Sequence, residues 1–187
     1  PPTVNIAPSL DSLPANHLKF YLSFSEPMQQ DSPWEHCRLR DTSTGEFVPR
    51  PFRHTELWNK SSDRLTLWFH PGRQKTGVNL NVEIGPILEP GHQYELILDG
   101  GWKSLAGTPI GENTTIQFTA GPPDHEQPNP RSWALTVPSS GTILPLAVDF
   151  GESLDHALLN NRALEVFDTS TWEVVKRVPT GKRCWHF

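Results

Sequence analysis

The stretch LKFYLSF at residues 18–24 carries the clearest structural signal in the sequence. One of its faces is apolar and the other is mixed: Leu18, Phe20, Leu22 and Phe24 alternate with Lys19, Tyr21 and Ser23. Successive side chains of a β-strand point to opposite faces, so this alternation predicts a strand with one buried face. We therefore expect the apolar set to lie in a core that Lys19 and Tyr21 do not join.

The same period of two recurs along the chain. It is present at residues 65–69 (LTLWF), 94–98 (YELIL) and 116–118 (IQF). The 19 Pro and 13 Gly of the chain fall largely between the apolar runs, as turn residues do. Short strands separated by such turns predict an all-β sandwich rather than alternating strands and helices. Residues 154–165 are the one stretch that also fits a short helix.

An internal repeat divides the chain. Residues 144–150 (LPLAVDF) repeat the apolar positions of residues 18–24. Further along, DTSTWE at residues 168–173 agrees with DTSTGE at residues 41–46 in five of six positions. Two matches in the same order and at nearly the same spacing indicate a tandem duplication.

The repeat predicts two domains, at residues 1–120 and 131–187. The segment 121–130 between them has four prolines in ten residues and is expected to be a semi-rigid linker. The first copy continues well beyond the counterpart of residues 185–187, so the second domain is expected to be incomplete. Its last strands would come from further chain or from a protein partner, because an open sheet edge pairs readily with another strand.

Three further motifs carry a family resemblance. FSEPM at residues 24–28 closes the alternating strand, and LEPGHQYEL at residues 88–96 places a Pro-Gly turn before a Tyr-containing strand. A third motif, LAGTP, lies at residues 105–109. Together they resemble the bacterial Ig-like domains found in S-layer and other cell-surface proteins. The second copy departs from the pattern, since GESL occupies residues 151–154.

The resemblance implies a fold, a location and a class of function. The fold is all-β, with two tandem immunoglobulin-like β-sandwich domains of which the second is incomplete. The location is extracytoplasmic: secreted, periplasmic or at the cell surface. The function is that of a non-catalytic structural or interaction module of a bacterial protein or assembly, because such domains usually carry no catalytic set. The alternative from the enzyme class is an accessory domain of a larger secreted enzyme.

Charge and composition argue against several other classes. The net charge of −5 comes without a Lys/Arg stripe that could neutralise phosphates, so no nucleic-acid partner is expected. No apolar run reaches the roughly 18 residues of a membrane span. The chain has no Gly-x-Ser-x-Gly motif, and its carboxylates cannot be told from a solvated face, so no enzymatic activity is predicted. The carboxylates considered are Glu83, Glu89, Asp99 and Glu112.

No metal and no other cofactor is predicted, because the 8 His include no pair at the spacing of a metal motif. Met28, His36 and Cys37 leave a copper-binding alternative open, since sulfur and imidazole ligands suit copper. Cys37 and Cys184 could form a disulfide if their Cα atoms lay within about 7 Å. Two buried free thiols are the simpler interpretation.

One long segment is the candidate partner-binding loop. Residues 70–91 link two predicted strands, and connections of this length inside compact domains are often functional. The candidate contact residues are two basic side chains followed by three apolar ones: Arg73, Lys75, Val78, Leu80 and Ile84. In the alternative interpretation, the apolar residues of the segment cover an open end of the sandwich.

The 7 Trp suggest a second kind of site. Trp68 alternates out of phase with Leu67 and Phe69, so its side chain is expected on the outer face. Outer aromatic side chains could bind a glycan, and in the alternative interpretation they cover the seam between the domains. The tryptophans are Trp34, Trp58, Trp68, Trp102, Trp133, Trp172 and Trp185.

Overall fold

The computed structural model describes residues 1–144, 146–152, 154, 163–167 and 174–179, the last two ranges by their backbone. The chain forms two compact units, Pro1–His125 and Glu126–Phe187. The boundary between the units falls inside the segment that the sequence predicts as a linker. Most of the regular structure in both units is β-strand, which confirms the expected all-β class.

The first unit has seven strands and two short α-helices. The strands are β1 Val4–Ala7, β2 Ser12–Pro14, β3 Lys19–Phe24, β4 Cys37–Asp41, β5 Arg64–Trp68, β6 Gln93–Leu98 and β7 Thr114–Gly121. The helices are α1 Pro71–Gln74 and α2 Asn79–Ile84, both between β5 and β6, and a 3₁₀ turn at Pro33–His36 precedes β4.

These strands form two sheets. One sheet has the order β1-β3-β5, with both pairs antiparallel. The other has the order β2-β7-β6-β4, in which β2 runs parallel to β7 and the remaining pairs are antiparallel. The chain alternates between the two sheets from β1 to β6, and only β6 and β7 follow one another within the same sheet.

A single cluster of buried side chains from both sheets forms the core of the first unit. Leu22 of β3 is 0% exposed and lies opposite Ile6 on one side and Leu65 on the other. The predicted inward set belongs to this cluster, with one exception: Phe20, Leu22, Phe24, Leu65, Leu67, Phe69, Leu96 and Phe118 are all members. The prediction for the register of β3 is therefore confirmed.

The exception is Leu18, for which the prediction is wrong. Leu18 is 50% exposed and lies just before Lys19, the first residue of β3, although its carbonyl still accepts from the Phe69 N–H at 2.9 Å. Lys19 and Tyr21 stay outside the core cluster, as predicted. Tyr21 is nevertheless only 7% exposed, and the Lys19 Nζ lies 5.3 Å from the centre of its ring.

The outer edge of β5 is covered by an irregular segment at residues 51–59. Isolated bridges join Phe52 to Phe69 and Trp58 to Leu65. Backbone hydrogen bonds extend the pairing, with the Arg53 N–H donating to the carbonyl of Trp68 at 2.8 Å. The segment therefore lies against β5 without forming a regular strand.

The helices do not lie where the sequence suggests one. Residues 163–165, at the end of the stretch expected to be helical, form the start of a strand, and residues 155–162 lie outside the described part. The helices α1 and α2 occur instead in the connection before β6, within residues 70–91 that the sequence predicts as a loop.

In the second unit, the described strands form two antiparallel pairs. They are β8 Ala134–Thr136 with β9 Ala147–Asp149, and β10 Ala163–Phe167 with β11 Val174–Pro179. Leu146, Val148 and Phe150 are half-buried, whereas the intervening Ala147 and Asp149 are exposed, which fits the alternation of this segment. Trp133 contacts Phe150 edge to face, with 4.7 Å between ring centres.

The backbone register is the same around the two copies of the repeated DTST motif. In the first copy, Arg40 pairs with Phe47 on either side of the motif. In the second copy, Phe167 pairs with Val174 at the corresponding positions. Residues 168–173 themselves, and Cys184 with the expected disulfide alternative, lie outside the described part of the chain.

Candidate functional site

The connection between β5 and β6 crosses from the three-stranded to the four-stranded sheet and includes the candidate partner-binding loop. Ile87 and Leu88, near its end, are 2% and 1% exposed and belong to the core cluster. These two apolar residues anchor the connection to the core. The apolar residues that precede them are not buried in this way.

The buried side chain of Arg73 hydrogen-bonds to the backbone of the connection near the core. Its side chain is 2% exposed, and its Nε donates to the carbonyl of Gly85 at 3.0 Å. The Nη2 atom donates to the carbonyls of Ile84 at 3.2 Å and Pro86 at 2.5 Å, and Nη1 donates to that of Pro49. A guanidinium buried against four carbonyls is not available to a partner, which removes Arg73 from the expected contact set.

The other predicted contact residues lie nearer the surface. Lys75 is exposed, Val78 and Ile84 are 38% and 39% exposed, and Leu80 is half-buried. Val82, which the sequence prediction did not single out as a contact residue, is 72% exposed. The connection therefore has two parts. Its base, at Arg73, Ile87 and Leu88, is buried, and its tip, at residues 75–84, exposes Val78 and Val82 to solvent.

A basic cleft lies beside this base. Arg50, Arg53, His54, Thr55 and His70 line a cavity of about 300 Å³ that is open to solvent. The cleft is not evident from the sequence, because His70 is distant along the chain from the other four residues. The RPFRH motif at residues 50–54 was the one available signal, with two arginines and a histidine in five positions.

The hydrogen bond and the surroundings of His70 favour one neutral tautomer of its ring. Its Nδ1 accepts a hydrogen bond from the Gly72 N–H at 3.1 Å, so the proton of the neutral ring resides on Nε2. Burial lowers the pKa of His70 below its ordinary value, and the nearby charges of Arg50, His54, Arg73 and Arg53 lower it further. His70 thus presents a neutral N–H donor among cationic neighbours.

The residues of the copper alternative are poorly placed for ligation. Met28 and Cys37 are both buried in the core cluster, and burial raises the pKa of the Cys37 thiol. A protonated thiol is a poor metal ligand. The His36 ring stacks on Trp102 with 4.9 Å between ring centres. Within the described ranges, no three His, Cys, Asp or Glu side chains are grouped so that they could hold a metal ion.

The acidic side chains considered for catalysis lie at the surface of the first unit. Glu83, Glu89, Asp99 and Glu112 are all exposed. Asp41, by contrast, is only 9% exposed, and its Oδ2 lies 2.8 Å from the Nδ1 of His92. That hydrogen bond is the main reason why the pKa of His92 is raised above its ordinary value.

The tryptophans do not form an exposed platform in the described part of the chain. Trp102 is 0% exposed, and its Nε1 donates to the carbonyl of Gln29 at 3.0 Å. Trp34 and Trp58 are half-buried and pack against the core cluster. Trp68 is half-buried on the outer face beneath the Lys19 Nζ, at 5.0 Å from its ring centre. The others are Trp133, which is half-buried, and Trp172 and Trp185, which lie outside the described residues.

Comparison with known proteins gives no family and no curated relative: no family model matches the chain, and no curated protein matches it. The solved structures that are similar to it include two of the surface layer protein SbsC. One, of domains 1–6, is 16% identical with a TM-score of 0.42, and the match covers 95% of this chain and 19% of that one. The other is 17% identical with a TM-score of 0.42 and the same coverage of 95% and 19%.

A third similar structure is the native conformation of E. coli alpha-2-macroglobulin. It is 14% identical with a TM-score of 0.37, over 64% of this chain and 6% of that one. The chain thus spans only a fifth or less of these three solved chains, and similarity at this level assigns no function. In the described part of the chain, no helix has the length and apolar character to cross a membrane.

Proposed function

We propose that Pro1–His125 is an immunoglobulin-like β-sandwich that serves as a non-catalytic structural or interaction module of a bacterial extracytoplasmic protein. The strand order supports this assignment. In the immunoglobulin fold, strands A, B, E and D form one sheet and strands C, F and G the other. The order β1-β3-β5 matches A-B-E, and β4-β6-β7 matches C-F-G. The irregular segment 51–59 beside β5 takes the position of strand D.

A hydrogen bond at the start of β6 supports the same assignment. Immunoglobulin-like domains have a tyrosine near the start of strand F whose hydroxyl bonds to the backbone a few residues upstream. Tyr94 is the second residue of β6, and its hydroxyl oxygen accepts from the Glu89 N–H at 2.8 Å. This matches the tyrosine corner in strand, position and partner.

The second unit is part of the same proposal. The matching register around the two DTST motifs, Arg40 with Phe47 and Phe167 with Val174, supports a second copy of the fold. Tandem β-sandwich domains suit a structural role, because each domain has its own hydrophobic core and is joined to the next by a short linker.

The observation that carries the interaction role is the contrast between the base and the tip of the β5–β6 connection. The base is held by Arg73, Ile87 and Leu88, so the tip is presented from a fixed scaffold. The tip exposes Val78 and Val82, and it also carries the exposed charged side chains of Lys75 and Glu83. Exposed apolar side chains on a fixed scaffold suit contact with a partly apolar protein surface. We propose such a protein surface as the partner.

The proposal can be tested in the bacterium that makes the protein, in its natural full-length chain. Val82→Asp places a charge on the tip, and Leu105→Asp is the matched control, because Leu105 is 63% exposed on a different connection. We expect the Val82 variant to be released from the cell envelope into the medium, while the control remains attached as the wild type does. Equal retention of both variants, or a cytoplasmic location of the wild-type protein, would contradict the proposal.

A further inference from the structure

We propose that the cleft lined by Arg50, Arg53, His54 and His70 binds an oxyanion group, that is a phosphate, sulfate or carboxylate carried by a larger ligand. This site is separate from the apolar tip and adds a binding activity to the proposed module. The four side chains supply guanidinium and imidazole donors around one cavity of about 300 Å³. That volume is at the lower end of the range for small-molecule sites, about 300–1,000 Å³.

The backbone beneath the cleft is firmly held. Phe52 is 2% exposed, pairs with Phe69 and stacks on its ring with 5.6 Å between centres. The His70 N–H donates to the carbonyl of Pro51 at 2.8 Å, so the RPFRH motif and the end of β5 are joined directly. Because Phe52 points into the core, Arg53 beside it is directed to the solvent side, where it is exposed.

Arg50 reaches the same side through an unusual backbone conformation. Its φ is 48°, in the left-handed region that non-glycine residues rarely adopt. Simple alternation would place residue 50 on the same face as the buried Phe52, and the left-handed turn interrupts that alternation. Strained residues of this kind cluster at functional sites. Here the turn leaves the Arg50 side chain exposed at the cleft.

The positive charges of the cleft are not neutralised by the protein. None of the residues lining it is acidic. In the described part of the chain, neither Arg50 nor Arg53 forms an ion pair within 4.0 Å. This is notable for a chain with a net charge of −5, whose surface offers carboxylates elsewhere. Two guanidinium groups without an ion-pair partner beside one cavity favour the binding of an anion from solution.

The donor geometry suits an oxyanion in particular. A guanidinium presents a planar fork of N–H groups that matches phosphate, sulfate or carboxylate oxygens in bidentate contacts. His70 contributes a neutral Nε2–H donor, as its hydrogen bond from Gly72 requires. His54 is stacked face to face on Trp34, with 4.8 Å between ring centres, which orients its ring at the edge of the cleft.

The test is an NMR titration of the ¹⁵N-labelled chain of residues 1–187 at constant ionic strength. Three separate arms use sodium phosphate, sodium sulfate and sodium galacturonate, and the arm that saturates identifies the class of anion. We expect saturable shifts at the amides of Arg53, Thr55 and Gly72 and at the His70 ring, with a Kd of about 1 mM or lower in at least one arm. Linear, unsaturated shifts in all three arms would overturn the proposal.

Paired variants make the test specific. The double variant R50G/R53Q removes both guanidiniums, and glycine fits the left-handed backbone at position 50 without strain. The control R38Q/R40Q removes the same charge from two exposed arginines of β4. We expect R50G/R53Q to weaken binding at least about tenfold, and the control to bind as the wild type does. Equal loss in both variants would show that the anion responds only to net charge, and the proposal would fail.

Discussion

The hydroxyl oxygen of Tyr94 accepts a hydrogen bond from the Glu89 N–H at 2.8 Å, across the Pro90–Gly91 turn that leads into β6. Tyr94 is 1% exposed and stacks on Phe118 with 5.7 Å between ring centres. One side chain therefore joins the core to the end of the long β5–β6 connection. Burial raises the pKa of this phenol above its ordinary value.

Tyr94→Phe removes this hydrogen bond and keeps the aromatic ring in the core. We expect a loss of about 0.5–1.5 kcal/mol in the free energy of unfolding, measured by urea denaturation at neutral pH. Because the folded state holds the phenol neutral, the wild type should also lose stability as pH rises past 10.0, the ordinary pKa of tyrosine, whereas the variant should not lose this contribution. A variant as stable as the wild type at neutral pH would contradict the role given to the hydroxyl.

His92 and Asp41 should make stability depend on pH near neutrality. The hydrogen bond from His92 to Asp41 raises the pKa of His92 above 6.5, and the carboxylate of Glu89, 3.9 Å from Nε2, contributes in the same direction. The folded state therefore favours the charged imidazole. Its contribution to stability is complete below pH 6.5 and is lost as pH rises through the higher folded pKa.

Asp41→Asn isolates this effect. The Oδ1 of Asp41 accepts from the N–H groups of Ser43 and Thr44, and the amide oxygen of asparagine can do the same, so the turn should persist. We expect the pKa of His92 in the variant, measured by NMR titration, to fall towards 6.5. The stability difference between wild type and variant should be larger at about pH 5.5 than at about pH 8.5. An unchanged His92 titration would show that Asp41 is not the dominant partner.

Arg73→Met should destabilise the first unit through its carbonyl partners. The guanidinium donates to the carbonyls of Pro49, Ile84, Gly85 and Pro86, and methionine fills similar space without any donor. Leaving such acceptors unpaired should cost at least about 2 kcal/mol. Arg53→Met is the control, because Arg53 is exposed, and we expect a change within about 0.5 kcal/mol. Equal effects in the two variants would mean that Arg73 does not hold the connection.

Leu22→Ala tests the register of β3 against a neighbour on the same predicted face. Leu22 is 0% exposed between Ile6 and Leu65, so its truncation should cost about 2–5 kcal/mol through lost burial and a cavity. Leu18 is 50% exposed, and Leu18→Ala should cost less than about 0.5 kcal/mol. Thermal and urea denaturation of both variants would measure the contrast. If Leu18→Ala cost as much as Leu22→Ala, Leu18 would have to belong to the core.

The difference between Leu22 and Leu18 also shows what sequence pattern can and cannot predict here. Alternation indicates which face of β3 is buried, because burial follows the two-residue period of the strand. It does not indicate where burial begins along the chain, because that depends on which residues pack over the strand, and Leu18 is exposed one residue before β3. The side of the strand was predictable, and its first residue was not.

The sequence predicts where the candidate site lies along the chain, but not its helices or which of its side chains are buried. The long connection before β6 stands out from the sequence, yet α1 and α2 within it depend on tertiary contacts, such as that of the Asn81 amide with the carbonyl of Arg73 at 2.7 Å. Burial of Arg73 depends on tertiary contacts in the same way, which is why the sequence wrongly predicts it as a surface contact residue. The basic cleft was not predicted because the pairing of Phe52 with Phe69 brings together residues that are far apart in the chain.

Pro1–His125 should fold alone, because its core cluster takes every member from within this range. Even its last residues are tied to it, since the Asp124 N–H donates to Asn16 Oδ1 at 2.9 Å. The most direct measurement is the unfolding of the isolated 1–125 fragment, followed by tryptophan fluorescence, far-UV circular dichroism and calorimetry. We expect coincident two-state transitions with a free energy of unfolding of about 5–15 kcal/mol. Non-coincident transitions, or no cooperative transition at all, would contradict a self-contained module.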